Sequence, residues 1–449
     1  MKKKGLQEDH MRIESTSAQV TPFLSVAKET GITITQEQDV KIWEGPVSGK
    51  TKPSGPLAGK TIGVLVASEF SDFQAYYIAS CASEFGGKVV FLLVDWVTWK
   101  FTRPNIRSKG VQGMWGLSVD PIPVLGGSRH SAKSLKEAAP ENYDALVTIG
   151  GYSVDLMMAE GRVVDFLRAV YDSGAIVGAI GSGSIPLITA GIMNEKVATG
   201  NRVVSFMIRK IGTFKDVPVI RDGQVITAGD TVDTPAFVQE LCQAFDPDFA
   251  PKRKEILAGK RVLVIAGEEF EDIELAVSVM ELIYRGASVI LATFPPPLRS
   301  RPPMLGLDVA MGNFGISVPL QEIPLSYYQV RKLSEVRMDD FDLVLIPGGF
   351  CPWNMVAAGE PVEFLKRACD AGKIIASICH GPIAVAAADL VKGKKTTGWR
   401  ACKDALSVMG GTYSYDWSAV VDGQIVTGRV PADIPEFLDA ITEALLNPC

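Results

Sequence analysis

The feature that most constrains this chain is that it repeats itself. Leu57-Ala58-Gly59-Lys60 recurs as Leu257-Ala258-Gly259-Lys260, and Glu69-Phe70 and Asp72 recur as Glu269-Phe270 and Asp272, at an offset of 200. Asp144-Ala145-Leu146-Val147-Thr148-Ile149-Gly150-Gly151 aligns with Asp342-Leu343-Val344-Leu345-Ile346-Pro347-Gly348-Gly349 at an offset of 198. Asp222-Gly223-Gln224, Pro235 and Phe237 then match Asp422-Gly423-Gln424, Pro435 and Phe437, back at 200. Separate blocks in one order mark a tandem duplication of a unit of about 190 residues, a domain-sized length. The expected organisation is an N-terminal extension and linker over 1–56, units over 57–245 and 257–449, and a linker over 246–256.

Each unit alternates short β-branched runs with helical spacing. Arg261–Ile265 and Ala287–Thr293 read as buried strands flanking a helix over Ile273–Tyr284, and Phe341–Ile346 and Lys373–Ile378 as two more strands. The pattern predicts an α/β fold: an open parallel sheet with helices on both faces and its site at the carboxyl ends of the strands.

Charge narrows the function. Forty-five Lys and Arg against 51 Asp and Glu leave a net charge of −6, which argues against a nucleic-acid partner. The densest apolar run, Val89–Val94, stops at Asp95, far short of the roughly 18 residues of a membrane span. The basic start, Met1 to Gly5, leads into Gln7, Glu8 and Asp9 instead of a hydrophobic stretch, so no signal peptide is expected. Seven cysteines without a CxxC pair suggest free thiols in a reducing, cytoplasmic setting. No metal-ligand spacing and no GxxxxGK[ST] loop occurs, so neither a metal nor another cofactor is expected.

The richest stretch is Lys373-Ile374-Ile375-Ala376-Ser377-Ile378-Cys379-His380-Gly381-Pro382. A strand runs into Cys379 and a helix begins at Pro382, where proline is favoured. A cysteine on such a turn is exposed above the sheet beside a helix N-terminus, which favours thiolate, while flanking amides can serve an oxyanion.

That stretch, with Ile346-Pro347-Gly348-Gly349 and Glu269-Phe270-Glu271-Asp272 upstream and Val420–Thr427 downstream, resembles the ThiJ/PfpI superfamily. The resemblance covers roughly 57–447 and implies two tandem flavodoxin-like domains related to class I glutamine amidotransferases. It also implies Cys379 as nucleophile and Glu271 as the carboxylic acid at its sulfur. The alternative for Glu268, Glu269, Glu271 and Asp272 is that they complement a helix N-terminus. His380, the only histidine of the second unit, is a candidate base, and the amides of Gly349 and His380 are candidate oxyanion donors. Where many members carry Arg-Ala-Pro-Glu, this chain has Phe350-Cys351-Pro352-Trp353, which argues against protease activity. Trp353 and Trp399 are expected to line a substrate pocket.

The first unit sets Gly181 opposite Cys379, Ser182 opposite His380 and Ser71 opposite Glu271, so nucleophile, imidazole and acid are all replaced. It is expected to be a degenerate partner packed as an intramolecular pseudo-dimer, within a larger homo-oligomer or without one. The leading expectation is a cysteine-dependent lyase or hydrolase acting on a small electrophile, similar to glyoxalase III-like proteins that convert an α-oxoaldehyde to a hydroxy acid. The alternative is a redox-sensing or chaperone-like stress protein whose Cys379 oxidises to a sulfinate.

Overall fold

The structure is a computed structural model that describes residues 33–37, 40–44, 54–97, 110–119, 129–159, 161–250, 253–297 and 310–448. Residues 1–32, 38–39 and 45–53 of the expected extension, and 251–252 of the expected interdomain linker, lie outside the described residues.

The two units share one topology. Across the first sheet the strands run Val219–Asp222, Val225–Ala228, Ile176–Ile180, Ala145–Thr148, Thr61–Val66, Lys88–Leu93 and His130–Ser134. In the second the order is Ala419–Asp422, Ile425–Gly428, Ile374–Ile378, Leu343–Ile346, Arg261–Ile265, Ser288–Thr293 and Tyr328–Lys332. Every pairing within either set is parallel except the hairpin at one edge. Helices cover both faces, so central strands such as Leu343–Ile346 are apolar at every position and wholly buried.

The second sheet is longer by two strands, which come from the N-terminal extension. Thr33–Glu37 pairs with Val40–Glu44, and Val40–Glu44 lies antiparallel on the edge strand Ala419–Asp422. Trp43 is fully buried there, and Lys41 forms an ion pair with Glu443.

The units pack through the helices Asp72–Glu84 and Asp272–Tyr284, which touch each other, together with Thr234–Phe245 and Ile434–Leu446. Every residue of Asp72–Glu84 is buried, because one side faces its own sheet and the other faces the sister unit. The buried arginines of this interface are each matched by carboxylates. Arg253, placed in the expected linker, is 4% exposed, donates to both Glu84 oxygens, and reaches Asp439 at 2.9 Å. Arg285 bonds Glu281 at 2.9 Å and Asp439 at 3.0 Å, while Arg129 bonds Glu436 at 2.8 Å. The linker is thus partly core, since a guanidinium flanked by carboxylates from both units is held far more firmly than a solvated one. No helix among the described residues is long and apolar enough to cross a membrane.

Candidate functional site

The strand Ile374–Ile378 delivers Cys379 onto a turn where its φ is +58°, a left-handed conformation that costs an L-residue roughly 1–2 kcal/mol. The turn is held from three sides. The Cys379 amide donates to the Gly428 carbonyl at 3.0 Å, and its carbonyl accepts from the Trp399 amide at 2.8 Å and the Cys402 thiol at 3.2 Å. Two glycines give it room. A Cβ at Gly381 would stand 2.7 Å from the Ile346 carbonyl oxygen, and one at Gly348 would stand 2.8 Å from Cys379 Cβ.

The carboxyl that meets the sulfur is that of Glu274, and Glu271 lies at the cap one turn before it. Glu271 sits at the N-cap of the helix Asp272–Tyr284 and accepts from the Glu274 amide at 2.7 Å, the capping role that its sequence also allowed. One turn further on, Glu274 is fully buried and its Oε2 accepts from the Gly348 amide at 2.6 Å. Its Oε1 is buried without a well-formed hydrogen bond, and the side chain that this carboxyl interacts with is the Cys379 thiol. Burial pushes Glu274 up to about 8, against the hydrogen bonds from Gly348 and Cys379. Burial, then the Glu274 charge, hold Glu271 well above the usual carboxylate range. Glu274 therefore favours the protonated form at neutral pH.

The thiol does not behave as its place before a helix suggests. Burial, and then the neighbouring Glu274, push Cys379 well above the ordinary thiol value. The helix Pro382–Ala387 has only six residues, and Cys379 is 2% exposed, so desolvation outweighs any help from the helix terminus. Thiolate must form by handing the proton to a neighbour.

One neighbour stands ready. His380 Nδ1 lies 3.4 Å from the Cys379 sulfur, and burial lowers its pKa, leaving a neutral imidazole that can accept a proton. The amides of Gly349 and His380 donate to no acceptor among the described residues. The His380 nitrogen lies 2.9 Å from the Cβ that Gly348 lacks, so this amide faces the same glycine turn as the sulfur.

The expected aromatic wall is divided. Trp399 meets His380 at 6.3 Å between ring centroids and Tyr415 at 6.3 Å on its other side. Trp353 lies in the first turn of the helix Cys351–Ala358, 41% exposed, and pairs with neither ring. Cys351 is a free thiol that accepts from the Gly267 amide at 3.2 Å and is pushed up to about 12 by burial. Glu274, Cys402 and Tyr415 were not singled out from the sequence. Among the described residues no cluster of His, Cys, Asp and Glu could hold a metal ion.

The first unit keeps the framework with different side chains. Gly181 takes φ +56° at the nucleophile position, Ser71 is the N-cap, and Gln74 stands where Glu274 does. Gln74 accepts from the Gly150 amide at 2.8 Å, as Glu274 does from Gly348, and its amide donates to Thr231.

A flavodoxin-like α/β sandwich with a cysteine on a strained strand-to-helix turn and a buried glutamate beside it defines a class of elbow-cysteine proteins. A DJ-1/PfpI family profile matches residues 60–244 and again 260–444. The chain belongs to the DJ-1/PfpI family and carries two copies of its domain. It is 32% identical to a deglycase of Pyrococcus abyssi over 41% of this chain and 99% of that protein. It is 26% identical to protein DJ-1 homolog D of Arabidopsis thaliana over 68% of this chain and 78% of that one. The crystal structure of Drosophila melanogaster DJ-1beta aligns at 25% identity over 41% of this chain and 90% of that chain, with a TM-score of 0.34.

Proposed function

We propose that the second unit is a cofactor-independent cysteine enzyme that acts on α-oxoaldehydes, in the manner of a glyoxalase III, with deglycation and related hydrolysis as neighbouring chemistries. The observation that carries this reading is the Cys379 sulfur set between the Glu274 carboxyl and His380 Nδ1, next to two amides without acceptors. The name of the Pyrococcus deglycase supports it.

In this reading the sulfur bonds the aldehyde carbon, and the thiol proton passes to the carbonyl oxygen through Glu274, which leaves a hemithioacetal. The Gly349 and His380 amides steady the oxygen while its charge develops. His380 then takes the proton from that carbon and returns it to the adjacent carbon, while the hemithioacetal hydroxyl gives up its proton to the adjacent oxygen, so that one carbonyl forms as the other becomes a hydroxyl. The product is a thioester of a 2-hydroxy acid. Water cleaves the thioester, releasing the hydroxy acid and restoring the thiol. The net change is addition of one water to the substrate, with oxidation and reduction balanced between its two carbons. Six free cysteines among the described residues support action in a reducing compartment such as the cytoplasm.

The test is methylglyoxal consumption with lactate as the measured product. Wild type is expected to turn over and Cys379→Ala to fall to the buffer rate. A wild type that consumes none of a panel of α-oxoaldehydes, although iodoacetamide labels Cys379, would remove the substrate assignment.

A further inference from the structure

The two units differ sharply just beyond the hairpin strand nearest the site. In the second unit Arg429 follows Ile425–Gly428 and grips Asp433 with two bonds, Nε to Oδ2 at 2.6 Å and Nη2 to Oδ1 at 3.0 Å. The same guanidinium donates to the Tyr415 carbonyl and Ser418 Oγ, and it lies over the Tyr415 ring at 5.4 Å. Arg129, from the first unit, approaches Asp433 at 3.5 Å and bonds Glu436. Two buried arginines thus answer two buried carboxylates.

In the first unit both arginines are gone and the central carboxylate remains. Gly229 stands for Arg429, and Tyr327, one residue before Tyr328–Lys332, stands where Arg129 precedes His130–Ser134. Asp233 keeps its place in the turn after Val225–Ala228, and Asp230 replaces Val430. Beside the vacated position lies a cavity of about 640 Å³, lined by Gly229, Asp230, Asp233, Asp216, Val217 and Tyr327 among others. A Cβ at Gly229 would stand 2.7 Å from Asp233 Oδ2, so this carboxylate faces the vacated position.

Asp233 accepts from the Asp230 amide at 2.9 Å, and no cation pairs with it among the described residues. Arg202 and Arg209 also line the cavity, but both are exposed, and Arg209 stacks on Phe214 at 4.2 Å. Glu322 of the second unit, half-buried and bonded to Trp115 and Thr231, lines an adjoining cavity that shares Asn201, Asp230 and Pro324. Burial raises Asp233 to about 6, so it carries its charge at pH 7.5.

We infer that this cavity of the first unit binds a small guanidinium compound on a short apolar stem, whose guanidinium takes the place that Arg429 fills in the second. Asp233 supplies the carboxylate fork, as Asp433 does. Val217 and Tyr327 supply apolar surface for the stem, and the Tyr327 ring offers a face to the cation. The inference concerns the first unit alone and holds whatever the second unit turns over.

The probe is n-propylguanidinium, titrated calorimetrically into the full chain at pH 7.5, with n-propylammonium and the neutral n-propylurea as parallel arms. Saturable binding of one guanidinium per chain is expected, at least tenfold weaker binding of the ammonium, and none of the urea. Asp233→Asn keeps an acceptor for the Asp230 amide and should weaken guanidinium binding roughly tenfold or more, as loss of a charged hydrogen bond does. Gly229→Arg should abolish it by occupying the cavity. No saturable binding in wild type, urea binding as well as guanidinium, or undiminished binding in Asp233→Asn would each overturn the inference. Should Gly229→Arg fail to fold, the Asp233→Asn and urea arms still decide it.

Discussion

The elbow turns of the two units have nearly the same backbone and opposite chemistry. Cys379 holds φ +58° and Gly181 holds +56°. Only the first of these is strained, because glycine reaches that region without cost. The difference teaches that the fold by itself requires the turn, while a non-glycine residue on it demands a separate reason. The acids tell the same story. Gln74 makes the backbone hydrogen bond that Glu274 makes, at 2.8 Å against 2.6 Å, so that contact belongs to the fold. What Gln74 cannot do is carry a labile proton, and there is no sulfur beside it to use one. The aromatic Trp399 is likewise matched by Asn201.

Exchanging residues between the units is the most direct way to break this comparison. Glu274→Gln copies the first unit into the second and should lower turnover by about 10²–10⁴-fold, the usual worth of general acid–base assistance, in the methylglyoxal assay. Glu271→Gln keeps a capping oxygen and should cost about 1 kcal/mol or less in a thermal melt, with near-normal turnover. A large loss in Glu271→Gln alone would return the acid role to that residue.

Arg429→Gly removes the principal partner of Asp433, leaving Arg129 at 3.5 Å. Breaking a buried pair on one side costs about 3–5 kcal/mol, to be read from urea unfolding at neutral pH. A smaller transplant runs the other way. Gly181→Cys places a side chain at φ +56° and should cost about 1–2 kcal/mol, while its Cβ would stand 3.1 Å from Asn201 Nδ2. Combined with Gln74→Glu it should yield a second alkylatable thiol, visible by mass spectrometry after limiting iodoacetamide.

The smallest expected effect is on the pH dependence of stability. Asp233 and Asp272 are raised to about 6, Glu322 to about 7 and Glu274 to about 8, all chiefly by burial. Each is raised above its unfolded value, so the folded chain binds more protons than the unfolded one. Their stabilisation is complete below about pH 4 and is lost as pH rises through 6 to 8. Melting temperature should therefore fall from pH 5 to 8.5. Glu274→Gln should flatten that decline up to about pH 8 and Asp233→Asn only its part below about pH 6, each by at most about 1.4 kcal/mol per pH unit. Equal slopes in both variants and wild type would show that these groups titrate alike in folded and unfolded chains.

Much of this was legible in the sequence, for identifiable reasons. The repeat, the glycine pair and the strand entering Cys379 are local patterns, and local patterns survive without tertiary information. Glu268, Glu269, Glu271 and Asp272 stand out as an acidic run while Glu274 lies just past it, and one helical turn separates a cap from a residue aimed at the elbow. Glu271 and Glu274 have the i, i+3 spacing of a capping box, but glutamate is not a favoured N-cap residue, so the spacing alone does not mark the cap. The raised thiol pKa was not legible, because it depends on how much water reaches Cys379. Nor was the burial of Arg253, which needs Glu84 and Asp439 from opposite ends of the chain. The alternation in Thr33–Glu37 and Val40–Glu44 fits a hairpin, but which sheet it joins is a tertiary fact.

That hairpin ties the segment before the first unit to the last strands of the second. Trp43 pairs in register with Ala419, so nearly the whole polypeptide, including all of the first unit, lies inside one closed loop. Domains emerge during synthesis in N-to-C order, which leaves strands made before either unit waiting for the final hairpin of the second unit before they find their place. The first unit can complete its sheet in the meantime. The second sheet reaches its full width only once both units are made, and the docking hairpin then covers an edge strand that would otherwise offer unpaired backbone to other chains. Docking of the hairpin thus records that both units have been made.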